Sequence, residues 1–261
     1  MTEPAIRFDD GAAYERFMGI WSGKAGEMFL PWVAPEPDLR WLDVGCGNGA
    51  FTEMIVDVCA PRSVHGIDPS EGQLAFARSR PALHLVDFRV GDAMALPFDD
   101  DAFDAAVMPL VIFFVPNPSK GVSEMTRVVS PGGTVCAYAW DMPGGGFPYE
   151  ALFAEMHAQG MEIPTPPSSE ASSIDALVDL WKGAGLVDVD TMVINVERTF
   201  ADFDDYWATI LGGPGIGARI AAMKPSDLSA LQTGMRARLP ADVTGRMTLR
   251  AWANAVKGRV R

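Results

Sequence analysis

The chain has 261 residues, 48% of them hydrophobic, enough for one sizeable core with an appendage. Its 34 acidic against 21 basic residues leave a net charge of −13, which opposes nucleic-acid binding because that affinity comes from Lys and Arg displacing counterions. Three cysteines, Cys46, Cys59 and Cys136, are an odd number without paired spacing, which argues for reduced thiols and against a disulfide framework.

The opening MTEPAIRFDDG carries acids and no basic-to-apolar progression, so no secretory signal is expected and the expected location is the cytoplasm. Asp9–Val33 reads as one or two amphipathic helices. From Arg40 to Trp140 short apolar runs alternate with helix-like stretches. Strands are expected at Arg40–Gly45, Ser63–Asp68, His84–Val90, Phe103–Val111 and Thr134–Trp140, with helices at Ala50–Cys59, Glu71–Arg80 and Asn117–Val129. The longest apolar run, Ala105–Val115, has 11 residues against the roughly 20 of a spanning helix, so it reads as a buried strand and no membrane span is expected. Strand–helix alternation with right-handed crossovers predicts a doubly wound α/β fold.

After Trp140 the rhythm changes. The breaker-rich Met142–Pro148 and Ile163–Ser173 flank an expected helix, Tyr149–Gln159, which reads as an insertion covering one face of the sheet and the substrate. A helix at Ser173–Leu186, a long alternating strand at Val187–Phe200, helices at Phe203–Leu211 and Ser226–Leu239, and a last antiparallel strand within Gly245–Val260 complete the expectation. The fold class is thus α/β: a mainly parallel, Rossmann-like, seven-stranded sheet with an antiparallel last strand and a helical lid and insertion.

In such sheets ligands sit beyond the carboxyl ends of the strands, where strand order reverses, and the first strand delivers LDVGCGNG there. Gly45, Gly47 and Gly49 permit positive φ and close backbone approach. GCGNGA also satisfies the dinucleotide pattern G-x-G-x-x-G/A, with Asp68 downstream to hold a ribose, so a nicotinamide cofactor and another adenosine cofactor are both open on this motif. Asp43, two residues before the first glycine, would repel a pyrophosphate and tolerate a cation without phosphates. Asp68 ends the second strand in GIDPS, where a carboxylate accepting two ribose hydroxyls makes two charge-assisted bonds of roughly 1.5–3 kcal/mol each. Asp92, in GDAMALPF after the third strand, could accept from an adenine amino group while Ala93, Met94 and Leu96 contact the ring.

LDVGCGNG, GIDPS, GDAMALPFDDDAFD and VVSPGG, in this order and spacing, resemble the class I S-adenosylmethionine-dependent methyltransferases, especially the small-molecule branch with the ubiquinone and menaquinone enzymes (type 11). The likeness is close over Arg40–Trp140 and weaker around Phe203–Gly213 and the N-terminal helix. It implies S-adenosyl-L-methionine as cofactor and a single methyltransferase domain over 1–261: an N-terminal helical lid (1–39), a cofactor core (40–140), an insertion (141–174) and the C-terminal half of the sheet with its helical insertion (175–261). It implies that Gly45, Cys46, Gly47 and Asn48 line the methionine part and that Asp68 and Pro69 hold the ribose beside Gln73. Gly91, Asp92 and Ala93 would take the adenine, and Pro109 and Leu110 the adenosine and sulfonium. Tyr14 and Trp21, seven apart on one helical face, are lid candidates over the cofactor.

The chain departs from that family in carrying Phe113 and Phe114 where relatives often have a polar or histidine pair, and Gln73 where they commonly have Met. His157, Asp141 and Tyr206 are the remaining candidates for a proton acceptor, with Trp207 beside Tyr206 as a substrate wall. There is no N/D-P-P-Y/F/W segment, no HEXXH, P-loop or G-x-S-x-G, and His65, His84 and His157 lack ligand spacing, so no metal is expected. The expected function is methyl transfer to a small, fairly apolar metabolite by in-line displacement, with no nucleic-acid partner and a homodimer as one assembly. The alternatives are a nicotinamide oxidoreductase and a catalytically silent, cofactor-binding regulator.

Overall fold

The computed structural model describes residues 15–213 and 215–261. Its strands are β1 (Arg40–Val44), β2 (Ser63–Asp68), β3 (Asp87–Val90), β4 (Phe103–Pro109), β5 (Val129–Trp140), β6 (Val187–Phe200) and β7 (Met247–Arg259). They form one sheet in the order β3-β2-β1-β4-β5-β7-β6, parallel except for β7, which runs antiparallel to both β5 and β6. The order reverses between β1 and β4, so the crevice of the fold opens where β1 delivers the glycine turn. Trp41, Leu42 and Val44 of β1 are fully buried on both faces, which explains a continuous apolar run without alternation.

The helices are α1 (Ile20–Val33), α2 (Ala50–Cys59), α3 (Glu71–Ser79), α4 (Pro118–Val128), α5 (Glu150–Ala158), α6 (Ile174–Gly183), α7 (Phe203–Leu211), α8 (Ile216–Ala221) and α9 (Pro225–Arg238). Their starts follow local chemistry. The Ser70 hydroxyl accepts from the Gln73 amide to cap α3, Asn117 caps α4 with Pro118 in its first turn, Ser173 caps α6 and Asp202 caps α7. α1 crosses α2 so closely that a Cβ on Gly26 would lie 2.9 Å from Met54 Sδ and 3.2 Å from Phe51. Trp21, Trp41, Trp140 and Trp181 are all fully buried, and Trp181 donates its indole N–H to the Val135 carbonyl at 2.9 Å. The three cysteines are free and buried. Among the described residues no helix is long and apolar enough to cross a membrane.

Several element bounds differ from expectation. β3 starts at Asp87, not His84, because Pro81–Leu83 form a 3-10 turn and Leu85 points into solvent at 86% exposure. β4 stops at Pro109, since Leu110 turns with φ of 59° into a 3-10 turn, Ile112–Phe114. β5 starts early, at Val129, through an irregular register at Phe103/Ala105 that takes up the SPGG segment. The short helix α8 lies in GGPGIGARIAA, whose glycines mask its periodicity.

Candidate functional site

The glycine turn after β1 is closed by its own backbone. The amides of Gly45 and Cys46 both donate to the Ile67 carbonyl, at 2.8 and 2.9 Å, and the Gly49 amide donates to the Cys46 carbonyl at 2.9 Å. The Gly47 amide donates to Asp68 Oδ2 at 3.0 Å, and the Ala50 amide, at the start of α2, donates to Asn48 Oδ1 at 3.2 Å. These five amides are the donors that a phosphate-cradling turn presents to its ligand. Here all five have internal partners.

The three glycines have different reasons. A Cβ on Gly45 would sit 2.5 Å from a Val111 methyl, and one on Gly49 2.8 Å from Leu83 and 3.0 Å from the Ala77 methyl; φ is positive at both. Protein packing alone demands glycine at these positions. At Gly47, φ is 52° and the nearest atom to a Cβ would be Gln73 Oε1 at 3.9 Å, an ordinary van der Waals contact, so protein packing does not demand glycine there. Gln73 is buried, and its Nε2 has no partner within the protein. The bare backbone of Gly47 thus stands beside a buried donor that the protein leaves unused.

Two acids stand near that turn. Asp43 is completely buried; its Oδ2 accepts from the Thr52 hydroxyl at 2.7 Å and its Oδ1 has no partner. Burial pushes its carboxyl up to about 7, the Thr52 bond opposing this and the nearby Asp68 adding to it. Asp43 therefore does not face the cleft as an open carboxylate, as the sequence suggests. Asp68 is half-buried, accepts one N–H on each oxygen (Gly47, and Ser70 at 2.8 Å), and is raised by burial against those two bonds. A carboxylate has about four lone-pair positions, so each oxygen keeps one for a ligand hydroxyl. Asp92 lies one strand further out, exposed, with Oδ1 accepting from the Met94 amide at 2.8 Å.

The Cys46 side chain turns away from the cleft into a small core with Leu74, Ala77, Leu83 and Phe88, so only its backbone is available there. Asn48 is buried, and its carbonyl accepts from Arg80 Nε at 2.7 Å, with Arg80 also paired to Glu53 at 2.6 Å; this locks α2 to α3 behind the turn. Pro69 is exposed and Gly91 half-buried, the Gly91 amide donating to the Asp68 carbonyl at 3.2 Å. Pro109 and Leu110 are buried at the end of β4, where the positive φ of Leu110 stores roughly 1–2 kcal/mol of strain.

Residues 42–137 match the family described as "Methyltransferase domain". The demethylmenaquinone methyltransferase of Desulfitobacterium hafniense is 36% identical over 108 residues, 40% of this chain and 43% of that one. The chloroplastic 2-methyl-6-phytyl-1,4-hydroquinone methyltransferase 2 of Oryza sativa subsp. japonica is 42% identical over 98 residues, 38% of this chain and 28% of that one. This stretch is similar to methyltransferase domains. The chain spans about half the length, or less, of these curated relatives. In fold it resembles phosphoethanolamine N-methyltransferase 2 of Haemonchus contortus, solved in complex with S-adenosyl-L-methionine, with a TM-score of 0.58 and 20% identity over 95% of this chain and 56% of that one.

The other candidates have these surroundings. Tyr14 falls outside the described residues. Trp21 is fully buried edge-on to Tyr149 and is a packing group in this structure. Asp141 accepts from the Gly144 amide at 3.0 Å and the Trp252 indole at 3.1 Å, so it organises the glycine-rich turn after β5. His157 is exposed on α5 and is brought to no other candidate. Phe113 is buried, with its carbonyl accepting from the Ser168 amide at 3.0 Å, a packing role. Tyr206 is fully buried and Trp207 nearly so, stacked on Phe203 at 5.7 Å. Thr52 and Val111 escaped the sequence reading. Thr52 sits nine residues beyond Asp43, in the first turn of α2, and only the fold brings them together.

Proposed function

We propose that this protein binds S-adenosyl-L-methionine and transfers its methyl group to a small, fairly apolar metabolite of the quinone type. The observation that carries the reading is the turn at Gly47: a bare backbone that protein packing does not demand, Asp68 bonded to its amide with Asp43 nearby, and the amides of Gly45, Cys46, Gly49 and Ala50 already bonded within the protein. That combination suits a cationic nucleoside and disfavours a nicotinamide dinucleotide. The names of the curated relatives, quinone methyltransferases among them, support the acceptor class.

The cofactor would supply an electrophilic methyl on a sulfonium. The chain's own residues hold and orient it. Asp68 offers one remaining lone pair per oxygen to two ribose hydroxyls, and Gln73 Nε2 is a buried donor still to be used. Asp43 places a titratable carboxyl near the turn without touching solvent. Asp92 and Ala93 lie at the outer rim, where the adenine belongs in this reading. Leu110, held by its amide to the Tyr138 carbonyl at 2.7 Å, and Val111 over Gly45 wall the inner side and exclude water. Displacement along a fixed line needs alignment above all, worth roughly 7–11 kcal/mol of a barrier, so two phenylalanines in place of a polar pair are compatible with turnover. The cytoplasm and a homodimer belong to the same proposal, the latter to be measured by size-exclusion chromatography with light scattering.

The test is calorimetric titration with S-adenosylhomocysteine and, separately, NADH, followed by transfer of an isotopically labelled methyl to a panel of quinols. Binding of the first nucleoside alone and labelled product are expected. NADH binding in the same cleft would overturn the reading, and tight S-adenosylhomocysteine binding with no transfer across the panel would replace the enzyme by a cofactor-binding regulator.

A further inference from the structure

The segment between β3 and β4 carries Asp92 and Ala93, and its regular structure is an isolated bridge between Asp92 and Ala95. It begins level with Asp68: Val90 pairs with Asp68 in the β2–β3 ladder, and the Gly91 amide donates to the Asp68 carbonyl at 3.2 Å. Asp92 and Ala95 are exposed and Ala93 and Met94 half-buried, so this stretch is open to a ligand.

What holds it is an ion pair on α4. Glu124 is buried; its Oε2 accepts from the Leu96 amide at 3.0 Å and from Arg127 Nη2 at 2.8 Å. Its Oε1 accepts from Arg127 Nε at 3.1 Å and Lys120 Nζ at 3.2 Å. Arg127 then reaches back across the segment, Nη2 donating to the Leu96 carbonyl at 3.1 Å and Nη1 to the Phe98 carbonyl and Asp100 Oδ1, both at 2.8 Å. The Arg127 bond holds the Glu124 carboxyl down to about 2, so the pair is ionised at any physiological pH. One turn earlier, α4 comes so close that a Cβ on Gly121 would lie 4.0 Å from the Ala93 carbonyl.

Taking a charge pair out of water is costly, and apolar residues of equal size often serve stability as well. The partners of this pair show what it does instead, since they include main-chain groups of an irregular segment within a few residues of Asp92. Arginine suits the task because its planar fork offers five donors in fixed directions, where lysine offers three on a flexible stem.

We propose that Glu124 and Arg127 are positioning residues for nucleobase recognition, fixing the 91–100 segment so that Asp92 can accept from the adenine amino group. The assignment rests on the methyltransferase reading above. Its probes are S-adenosylhomocysteine and S-inosylhomocysteine, whose base carries an oxygen in place of that amino group. By calorimetry wild type prefers the first by at least about tenfold. Arg127→Lys keeps a cation beside Glu124 but cannot meet all the acceptors on the segment. Glu124→Gln keeps the size and an acceptor for the Leu96 amide but removes the charge. In both variants the preference falls to within about threefold, through weaker binding of the adenine compound alone. A purely structural role would lower Tm and weaken both compounds equally, with the preference kept. That result, no preference in wild type, or failure of both variants to fold would each overturn the assignment, and with S-adenosylhomocysteine bound by wild type would leave the methyltransferase reading standing. Absence of S-adenosylhomocysteine binding by wild type would remove both.

Discussion

The two ends of the sheet are built from different materials. On the β1–β2 side, six residues from Asp43 to Asn48 and one strand end at Asp68 are tied by backbone hydrogen bonds over short sequence separations. On the β5–β6 side, rings pack with few polar contacts, and those few join distant parts of the chain: Tyr149 to Phe17, Lys24 to the Glu197 carbonyl at 2.6 Å, Asn254 to the Ser172 carbonyl at 2.9 Å. A ligand of constant chemistry can be met by a fixed local turn, because the same donors and acceptors are always needed at the same spacing. An acceptor that varies is met by shape, which side chains from many elements can fill in many ways.

The largest expected effect breaks the first end and spares the second. Asp68→Ala removes the acceptor of the Gly47 amide together with the two free lone pairs, so affinity for S-adenosylhomocysteine falls by at least about 100-fold while the far-ultraviolet spectrum and the cap stay intact. A loss below tenfold by calorimetry would show that this carboxylate serves the turn only.

Next, the glycines should separate. Gly45→Ala drives a Cβ into Val111 at positive φ and costs about 3 kcal/mol in urea denaturation. Gly47→Ala meets no protein atom closer than 3.9 Å, costs about 1 kcal/mol for its φ of 52°, and loses cofactor affinity instead. If both variants lose stability equally and bind equally, the bare backbone at Gly47 has no occupant.

Asp43 sharpens the comparison by pH. Its folded carboxyl sits at about 7 against 3.8 in a free chain, so the folded state holds the proton more tightly. The stability this contributes is complete below about pH 4 and is lost as pH rises to about 7. Relative to Asp43→Asn, wild type should therefore lose stability between pH 4 and 7, with a constant difference above that, as read from denaturation midpoints. A cationic nucleoside favours the ionised form, so its affinity for wild type should rise across the same upper range and stay flat in the variant. A pH-independent difference between the two proteins would mean that Asp43 is already ionised at low pH.

The smallest effect is expected at His157. It is exposed on α5, and His157→Gln should leave kcat/KM within about twofold in the methyl-transfer assay. A hundredfold loss would place α5 over the reacting atoms and redraw the cap.

Much of the fold was legible because its signals are local. Strand–helix alternation from Arg40 to Trp140 and the alternating Val187–Phe200 strand both appear in the structure. The misread bounds also have local causes: an exposed Leu85 mimics a strand, and glycines hide α8. The local bonds of the site were not legible: Asp92 and Asp141 each accept from an amide of their own turn, since a side-chain carboxyl two or three residues from an amide finds it first.

Sequence alone determined the layered α/β architecture, the switch point and the turn at which the cofactor side is built, because hydrophobic period, breakers and caps act within a few residues of themselves. Tertiary structure alone decided which glycines protein packing demands and that Asp43 is sealed against Thr52. It alone left Tyr206 with a buried hydroxyl and no partner. Those outcomes depend on what distant elements place within a few ångströms, and no spacing along the chain encodes such a distance.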